Sequence, residues 1–519
     1  MSHPMTRREA LTLAGSAAAS LLWTRSPGRA AGPPHRPVPR RAPNLVVFLT
    51  DDQAQMAMGA YGHPFLKTPQ MDRLAAEGVR FTEAFVTNAL CAPSRASILT
   101  GRYAHAHGVL ANGGGPAFRN PPGLRAGDVT FVDLLHQVGY HTALVGKWHL
   151  PSWPAGFDAW VILPGQGVYQ DPEMIANGMR LHLRGHVDDV VGDQALAVLQ
   201  HRPVDRPFCL LVHFKAPHRA WVPAPRFVAA FEGVEVPVPP AFADGLHGRS
   251  EAVRQTMMAL ADLPDFREQG VPAALPPEER ARRNLQHMVT NYCRVLLGVD
   301  ENVGRVLDFL DAQGLTEHTA VLFTSDNGFF LGEYGLYDKR LMYEPAIRVP
   351  MLLRYPAGLA AGWVDTTHLV LNLDIAPTLL ELAGVPVPPG IHGRSWLPLL
   401  EGEEPAWREA FLYQYFEYPA WHCVRKHRGV RTRDWKLIHF WEQPEEWELY
   451  DLTADPDERH NLAARPAYAA RLAQLRAQLA ALRREVGDVD PPGPPPTAAP
   501  CTRDIGQGRD PAARTPPSR

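Results

Sequence analysis

Residues 91–102 read Cys91-Ala92-Pro93-Ser94-Arg95-Ala96-Ser97-Ile98-Leu99-Thr100-Gly101-Arg102, and their order constrains both local structure and chemistry. Proline is favoured in the first turn of a helix and glycine just past its end. Pro93 and Gly101 therefore predict a short helix over 93–99, with Cys91 at its N-terminal end. Backbone N–H groups left free at such an end favour an anion. The same field lowers a thiol pKa, so a reactive cysteine thiolate is one reading of Cys91 and a buried structural cysteine another.

The 519 residues are 45% hydrophobic and 21% charged, with a formal net charge of −3. That composition fits a soluble globular chain with one large domain and a smaller one. With no dense basic run, broad nucleic-acid binding is argued against, and any anionic ligand must be held by a few local basic groups. The five cysteines, Cys91, Cys209, Cys293, Cys423 and Cys501, form no C-x-x-C pair and no metal-ligand spacing. No disulfide framework is indicated, and Cys209 and Cys293, in apolar and helical patterns, read as core thiols. At the N-terminus, Arg7-Arg8 precede an Ala-, Leu- and Ser-rich stretch over 10–22. This resembles a twin-arginine export signal, which predicts a periplasmic or secreted protein. At about 13 residues the stretch is too short for a stop-transfer helix, so no stable membrane insertion is expected. Small residues at Ala30-Ala31-Gly32 offer a cleavage region, and residues 1–43 are set aside as signal and linker.

Residues 45–49 form a continuous apolar run, as expected for a parallel strand buried on both faces. Further strands are predicted over 209–214 and 319–324, with helices over 71–77, 129–138 and 285–312. Alternating strands and helices predict an α/β domain over 44–385, a mainly parallel sheet with sites beyond its strand C-termini. From 386 to 487 the texture changes. Strands over 435–440 and 447–452 and a helix over 466–486 predict a smaller α+β subdomain. Residues 488–519, rich in Pro, Gly, Thr and Arg, are expected to be a disordered tail.

Asp51-Asp52 directly follow the first strand, and Ser325-Asp326-Asn327-Gly328 follow another. Separately these are a helix-capping pair and a common turn. Together they bring four hard oxygen-bearing side chains to the ends of strands in one sheet, which suits Ca²⁺ or Mg²⁺.

Residues 91–102 resemble the signature of the formylglycine-dependent sulfatases, C-x-P-S-R followed three residues later by L-T-G-R. Similar matches run through Gly146-Lys147-Trp148-His149-Leu150, Ala216-Pro217-His218 and residues 338–344. The resemblance implies an alkaline-phosphatase-like sheet sandwiched by helices and hydrolysis of sulfuric esters. It further implies that a maturation enzyme oxidises Cys91 to formylglycine. One calcium ion would be held by Asp51, Asp52, Asp326 and Asn327, with the Cys91-derived side chain completing the set. Lys147 and Lys339 are implied to contact sulfate oxygens and Arg95 to steady the formylglycine. His218 is implied to protonate the leaving alcohol and His149 to regenerate the aldehyde.

Residues 330–344 look most like those of sulfatases acting on sulfated sugars, and residues 429–432 and 447–452 are similar to the N-acetylglucosamine-6-sulfatase branch, although choline and aryl sulfatases share parts of them. The implied partner is a sulfated small molecule or glycan. Tyr418, Trp421, His422 and Arg425 form an aromatic and basic stretch that reads either as the rim of a sugar site or as packing between domains. Two other readings stand beside this one. One is a phosphonate or phosphate monoester hydrolase of the same superfamily; the other is a glycan-binding relative whose Cys91 is never matured.

Overall fold

The computed structural model describes residues 42–113, 121–125, 127–403, 405–490 and 492–502. The expected export signal, through residue 41, and the tail from 503 onward lie outside the described residues. Ten strands build the central sheet. In chain order they are β1 (Asn44–Thr50), β2 (Val79–Phe81), β3 (His141–Lys147), β4 (Ala159–Leu163) and β5 (Glu173–Ala176). The others are β6 (Met179–His182), β7 (Phe208–His213), β8 (Thr319–Ser325), β9 (Met351–Arg354) and β10 (Trp363–Asp365). Across the sheet they run β10-β2-β9-β8-β1-β7-β3-β4-β5-β6. The middle five, from β8 to β4, are parallel, and β9, β5 and β6 run antiparallel to their neighbours.

The apolar run in β1 has the predicted cause. Leu45, Val47 and Leu49 enter one hydrophobic core while Val46 and Phe48 enter the other, because alternate side chains leave opposite faces of a strand. Helices cover both cores: α1 (Pro69–Glu77), α2 (Cys91–Thr100), α3 (Phe131–Gln137), α4 (Val187–His201), α5 (Pro277–Ala312) and α6 (Ile375–Leu382). Helices α1, α4 and α5 pack on one face, and α2, α3 and α6 on the other. Helix α5 begins eight residues earlier than its apolar stripe suggested. Its first turn carries Glu278 and Glu279, which complement the helix dipole but leave no hydrophobic trace.

A second, antiparallel sheet follows, with β11 (Ala410–Tyr415), β12 (His427–Thr432), β13 (Trp435–Phe440) and β14 (Glu446–Asp451) in that order, then helix α7 (Ala469–Glu485). Strands β13 and β14 match the predicted segments, whereas β11 and β12 were not foreseen. Residues 492–502 depart from the expected disorder. They lie along the small sheet, where Gln443 donates to Pro496 O (2.8 Å) and accepts from Ala498 N (2.9 Å). Cys501 forms a disulfide with Cys423, a pairing across 78 residues that no spacing rule could reveal. Cys209 and Cys293 are buried free thiols, as read.

Gly146 sits on β3 opposite His213, with φ 100°, and a Cβ there would overlap the His213 carbonyl oxygen. Gly146→Ala is expected to cost about 3 kcal/mol, from combined backbone strain and steric overlap. The loss should appear as a lower thermal-melting midpoint; an unchanged midpoint would contradict this strand pairing.

Candidate active site

Strands β1 and β8 pair in register to their last residues, Thr50 opposite Ser325. The residues that follow therefore emerge side by side. Asp326 N donates to Thr50 O (3.1 Å), Asp51 N to Ala216 O (3.2 Å) and Asp52 N to Asp326 Oδ1 (3.1 Å). Asp52 has φ 73°, and the α5 residue Tyr292 secures that turn. Its hydroxyl donates to Asp52 O (2.6 Å) and accepts from Ala54 N (2.8 Å). Carboxylate oxygens of Asp51, Asp52 and Asp326 and the Cys91 sulfur all lie within 4.8 Å of one another, fully buried.

Three buried carboxylates demand compensation. Lys147, the last residue of β3, bonds Asp51 and Gln166. Lys339 Nζ reaches both oxygens of Asp52 at 2.6 Å. Arg95 Nε donates to Asp326 Oδ2 (2.8 Å) while its Nη1 donates to Lys147 O (2.6 Å). Burial raises the pKa of Asp51, but Lys147, then His218, Arg95 and Lys339, bring it well below the ordinary carboxylate range. For Asp52 burial prevails over Lys339 and the pKa is raised. Burial, with Asp51 beside it, pushes Asp326 up to about 7. Burial works against the Lys339 ammonium, yet Asp52 holds its pKa well above the usual value. Asn327 Nδ2 donates to Asp52 Oδ1 (2.7 Å). Among the described residues, Asp51 Oδ1 and Asn327 Oδ1 are buried without a hydrogen-bond partner. Hard oxygens left without a hydrogen bond beside carboxylates form a donor set that fits a divalent cation such as calcium.

Helix α2 starts at Cys91 itself, two residues before the predicted start, and all ten of its residues are buried. Its signature residues have structural tasks. Ser94 Oγ accepts from Asn372 Nδ2 (2.8 Å), and Gly101, at φ 65°, closes the helix by donating to Ser97 O (2.8 Å). Asn112 Oδ1 accepts from Ala92 N (2.8 Å), so part of the N-terminal donor set is already engaged. Cys91 Sγ lies 3.9 Å from Asp52 Oδ1. Burial drives its thiol pKa well above the usual range, Lys339 opposing and Asp51 adding to the rise. That reverses the lowering expected at a helix N-terminus and disfavours an ordinary thiolate nucleophile.

His149, at φ 56°, is buried with both ring nitrogens unpartnered among the described residues. Burial, then Lys147, depresses its pKa, so the ring is neutral. His218 Nδ1 donates to Arg219 O (2.8 Å) and its Nε2 lies 3.9 Å from Asp52 Oδ2; burial, then Lys147, depresses this histidine too. Beside His218 and Lys339 opens a cleft of about 580 Å³, also lined by Gln166, Tyr169, Lys215, Asp338, Arg340 and Trp421. All the predicted site residues converge on this corner, at the C-terminal ends of β1, β3, β7 and β8 or in the segments that pack on them. Gln166, Lys215, Asn112, Asp338 and Arg340 were not singled out as individual site residues, because polar loop residues carry no periodic signal. The ambiguous aromatic stretch divides. Trp421 rims the cleft. Tyr418, His422 and Arg425 are buried and bond Ala499, Met257 and Asp338, and Glu442 and Glu446 respectively.

A mainly parallel sheet sandwiched by helices, with an oxygen-rich cradle at its strand ends, is the alkaline-phosphatase-like architecture that the sequence resemblance implied. The sulfatase family model matches residues 43–385, and the model described as N-sulphoglucosamine sulphohydrolase, C-terminal, matches residues 332–485. The chain belongs to the sulfatase family and is a sulfuric ester hydrolase. N-acetylglucosamine-6-O-sulfatase of Bacteroides thetaiotaomicron is 39% identical over 499 residues, spanning 87% of this chain and 88% of that protein. Human N-acetylglucosamine-6-sulfatase is 30% identical over 473 residues, spanning 82% and 81% of the two chains. A solved enzyme in complex with its substrate D-glucosamine-2-N,6-O-disulfate superposes with a TM-score of 0.79 at 38% identity, covering 87% of this chain and 99% of that one.

Proposed function

We propose that the chain removes the 6-O-sulfate from N-acetylglucosamine residues of a glycan, using formylglycine at position 91 and one calcium ion. The observation that carries this reading is the placement of Lys339 between the buried carboxylate cradle and a cleft of sugar size. Likeness to N-acetylglucosamine-6-sulfatases along most of the chain supports the choice of sugar.

Asp51, Asp52, Asp326 and Asn327, with the side chain at position 91, would hold the calcium ion. When present, formylglycine supplies the nucleophilic oxygen, and calcium the polarising charge, that sulfate transfer requires. Lys147 and Lys339 neutralise charge on the sulfate oxygens as the ester bond breaks. Arg95 fixes the cradle by bridging Asp326 and the Lys147 carbonyl. Because His218 Nδ1 is committed to Arg219 O, the proton for the leaving alcohol is carried on Nε2. An anionic substrate beside it raises the proton affinity that burial depresses. The His149 ring, whose nitrogens have no hydrogen-bond partner among the described residues, would accept the proton released when position 91 is regenerated.

Peptide mass spectrometry across residue 91, after co-expression with a formylglycine-generating enzyme, should show the mass loss from CH₂SH to CHO. Cys91→Ala should lower turnover by roughly a thousandfold or more while the melting temperature holds. Thiol alone, in a host that matures another sulfatase, would refute the modification.

Asp326→Ala should lose the bound calcium, read directly as metal content and as loss of calcium-dependent thermal stabilisation. Full calcium occupancy in that variant would displace the site.

On a panel of 2-, 3-, 4- and 6-sulfated N-acetylglucosamines, choline sulfate and an aryl sulfate, kcat/KM should favour the 6-sulfated sugar by about a hundredfold or more. Preference for choline sulfate or the aryl ester would overturn the sugar assignment and leave sulfate-ester hydrolysis intact.

A further inference from the structure

Residues 486–490 and 492–502 form a strap beyond residue 485, where the match to the C-terminal family model ends. This strap does little by burial, since residues 492–497 and 499–500 are exposed. It is held by a few polar links. Asp490 pairs with Arg428 (2.6 Å) and Arg483 (2.8 Å), and Pro496 and Ala498 bracket the Gln443 backbone. Tyr418 OH donates to Ala499 O (2.6 Å), and Cys501 is joined covalently to Cys423.

Cys423 belongs to a corner that faces the active site. Trp421 lines the cleft together with Lys339 and Arg340. The buried His422 spans two elements, Nδ1 meeting Met257 O (2.9 Å) and Nε2 meeting Asp338 Oδ2 (3.2 Å), one residue from Lys339. His422 and Cys423 both have positive φ, 66° and 51°. Consecutive left-handed non-glycine residues persist only where their surroundings over-determine them. The disulfide is the covalent part of those surroundings.

We infer that the strap and the Cys423–Cys501 bond form a redox-dependent clasp that fixes the Trp421–His422 corner, and with it one wall of the cleft, in its substrate-binding form. The clasp closes by thiol–disulfide exchange with a small disulfide such as oxidised glutathione. Two protein thiols give up two protons and two electrons, one protein S–S bond forms, and the small disulfide leaves as two thiols. Reduction leaves the exposed strap with only its polar links, and the corner relaxes. The competing account is a staple that raises global stability without shaping the cleft.

The test compares the matured enzyme with Cys501→Ser, with the double variant Cys423→Ser/Cys501→Ser, and with a chain ending at residue 487, each with and without reductant. Amide hydrogen exchange over residues 418–425 should accelerate about tenfold or more in reduced wild type and in every variant. KM for the 6-sulfated sugar should rise about fivefold or more, while kcat, and turnover of a small aryl sulfate, change by less than about twofold. Reductant should add nothing to the variants, which also controls for thiol addition to an aldehyde at position 91. The KM comparison rests on the sugar-sulfate reading above, whereas the exchange comparison does not. If wild type ignores the sugar, that reading fails and exchange alone decides the clasp. Unchanged exchange over 418–425 would overturn the clasp. So would an equal loss of turnover on both substrates that tracks a fall in melting temperature.

Discussion

The in-register pairing of β1 with β8 is the constraint on which the rest of the site depends. It delivers Asp51, Asp52, Asp326 and Asn327 to one buried point, where carboxylates taken out of water are unstable unless paired. Lys147, Lys339 and Arg95 are buried because of that demand, and each contacts at least one of the three acids. The backbone is bent to meet it as well. Asp52, His149, Asp338 and Arg340 all have positive φ, a clustering expected where a site holds strain that its packing over-determines.

The small antiparallel sheet is structurally part of this site rather than an appendage. Tyr413 of β11 accepts a hydrogen bond from Ala89 N (3.1 Å), just before the Cys91 helix, and donates to Arg340 O (2.7 Å), just after Lys339. A single hydroxyl thus ties the approach to Cys91 to the segment that carries the second lysine. Beyond it, Tyr343 donates to Glu448 Oε2 of β14 (2.5 Å). The residues between Tyr337 and Glu344 are consequently clamped between the two sheets, and Lys339 can aim inward although it lies on no long strand.

Legibility in the sequence followed the physics of each feature. Continuous apolar runs are buried on both faces, so β1, β7 and β8 were read within a residue or two. The acidic clusters could be assigned because they follow such runs directly. Strands β11 and β12 were missed. Tyr413, Tyr415, Arg428 and Arg431 face ring stacks and ion pairs, so these strands lack a clean alternation of apolar and polar residues. The Cys91 signature gave the helix but misjudged its electrostatics. The field of a helix end is a local property, whereas the burial that raises the thiol pKa is set by tertiary packing. The Cys423–Cys501 bond and the cleft-lining Gln166 and Lys215 depend on contacts made by loops, which have no period to read.

Charge balance explains how a chain with net charge −3 can accept an anionic ester. The cluster sets three acids, Asp51, Asp52 and Asp326, against three cations, Arg95, Lys147 and Lys339. Of its positive members Lys339 lines the cleft, with Lys215 and Arg219 added along the wall. In a water-poor recess, a few oriented cations act on a nearby charge far more strongly than distributed surface charge does. On the proposed reading, the same arrangement would favour negative charge spreading over the sulfate oxygens as the ester bond breaks. On the reading proposed above, binding and rate would draw on one set of buried cations, held in place by the carboxylates that pair with them.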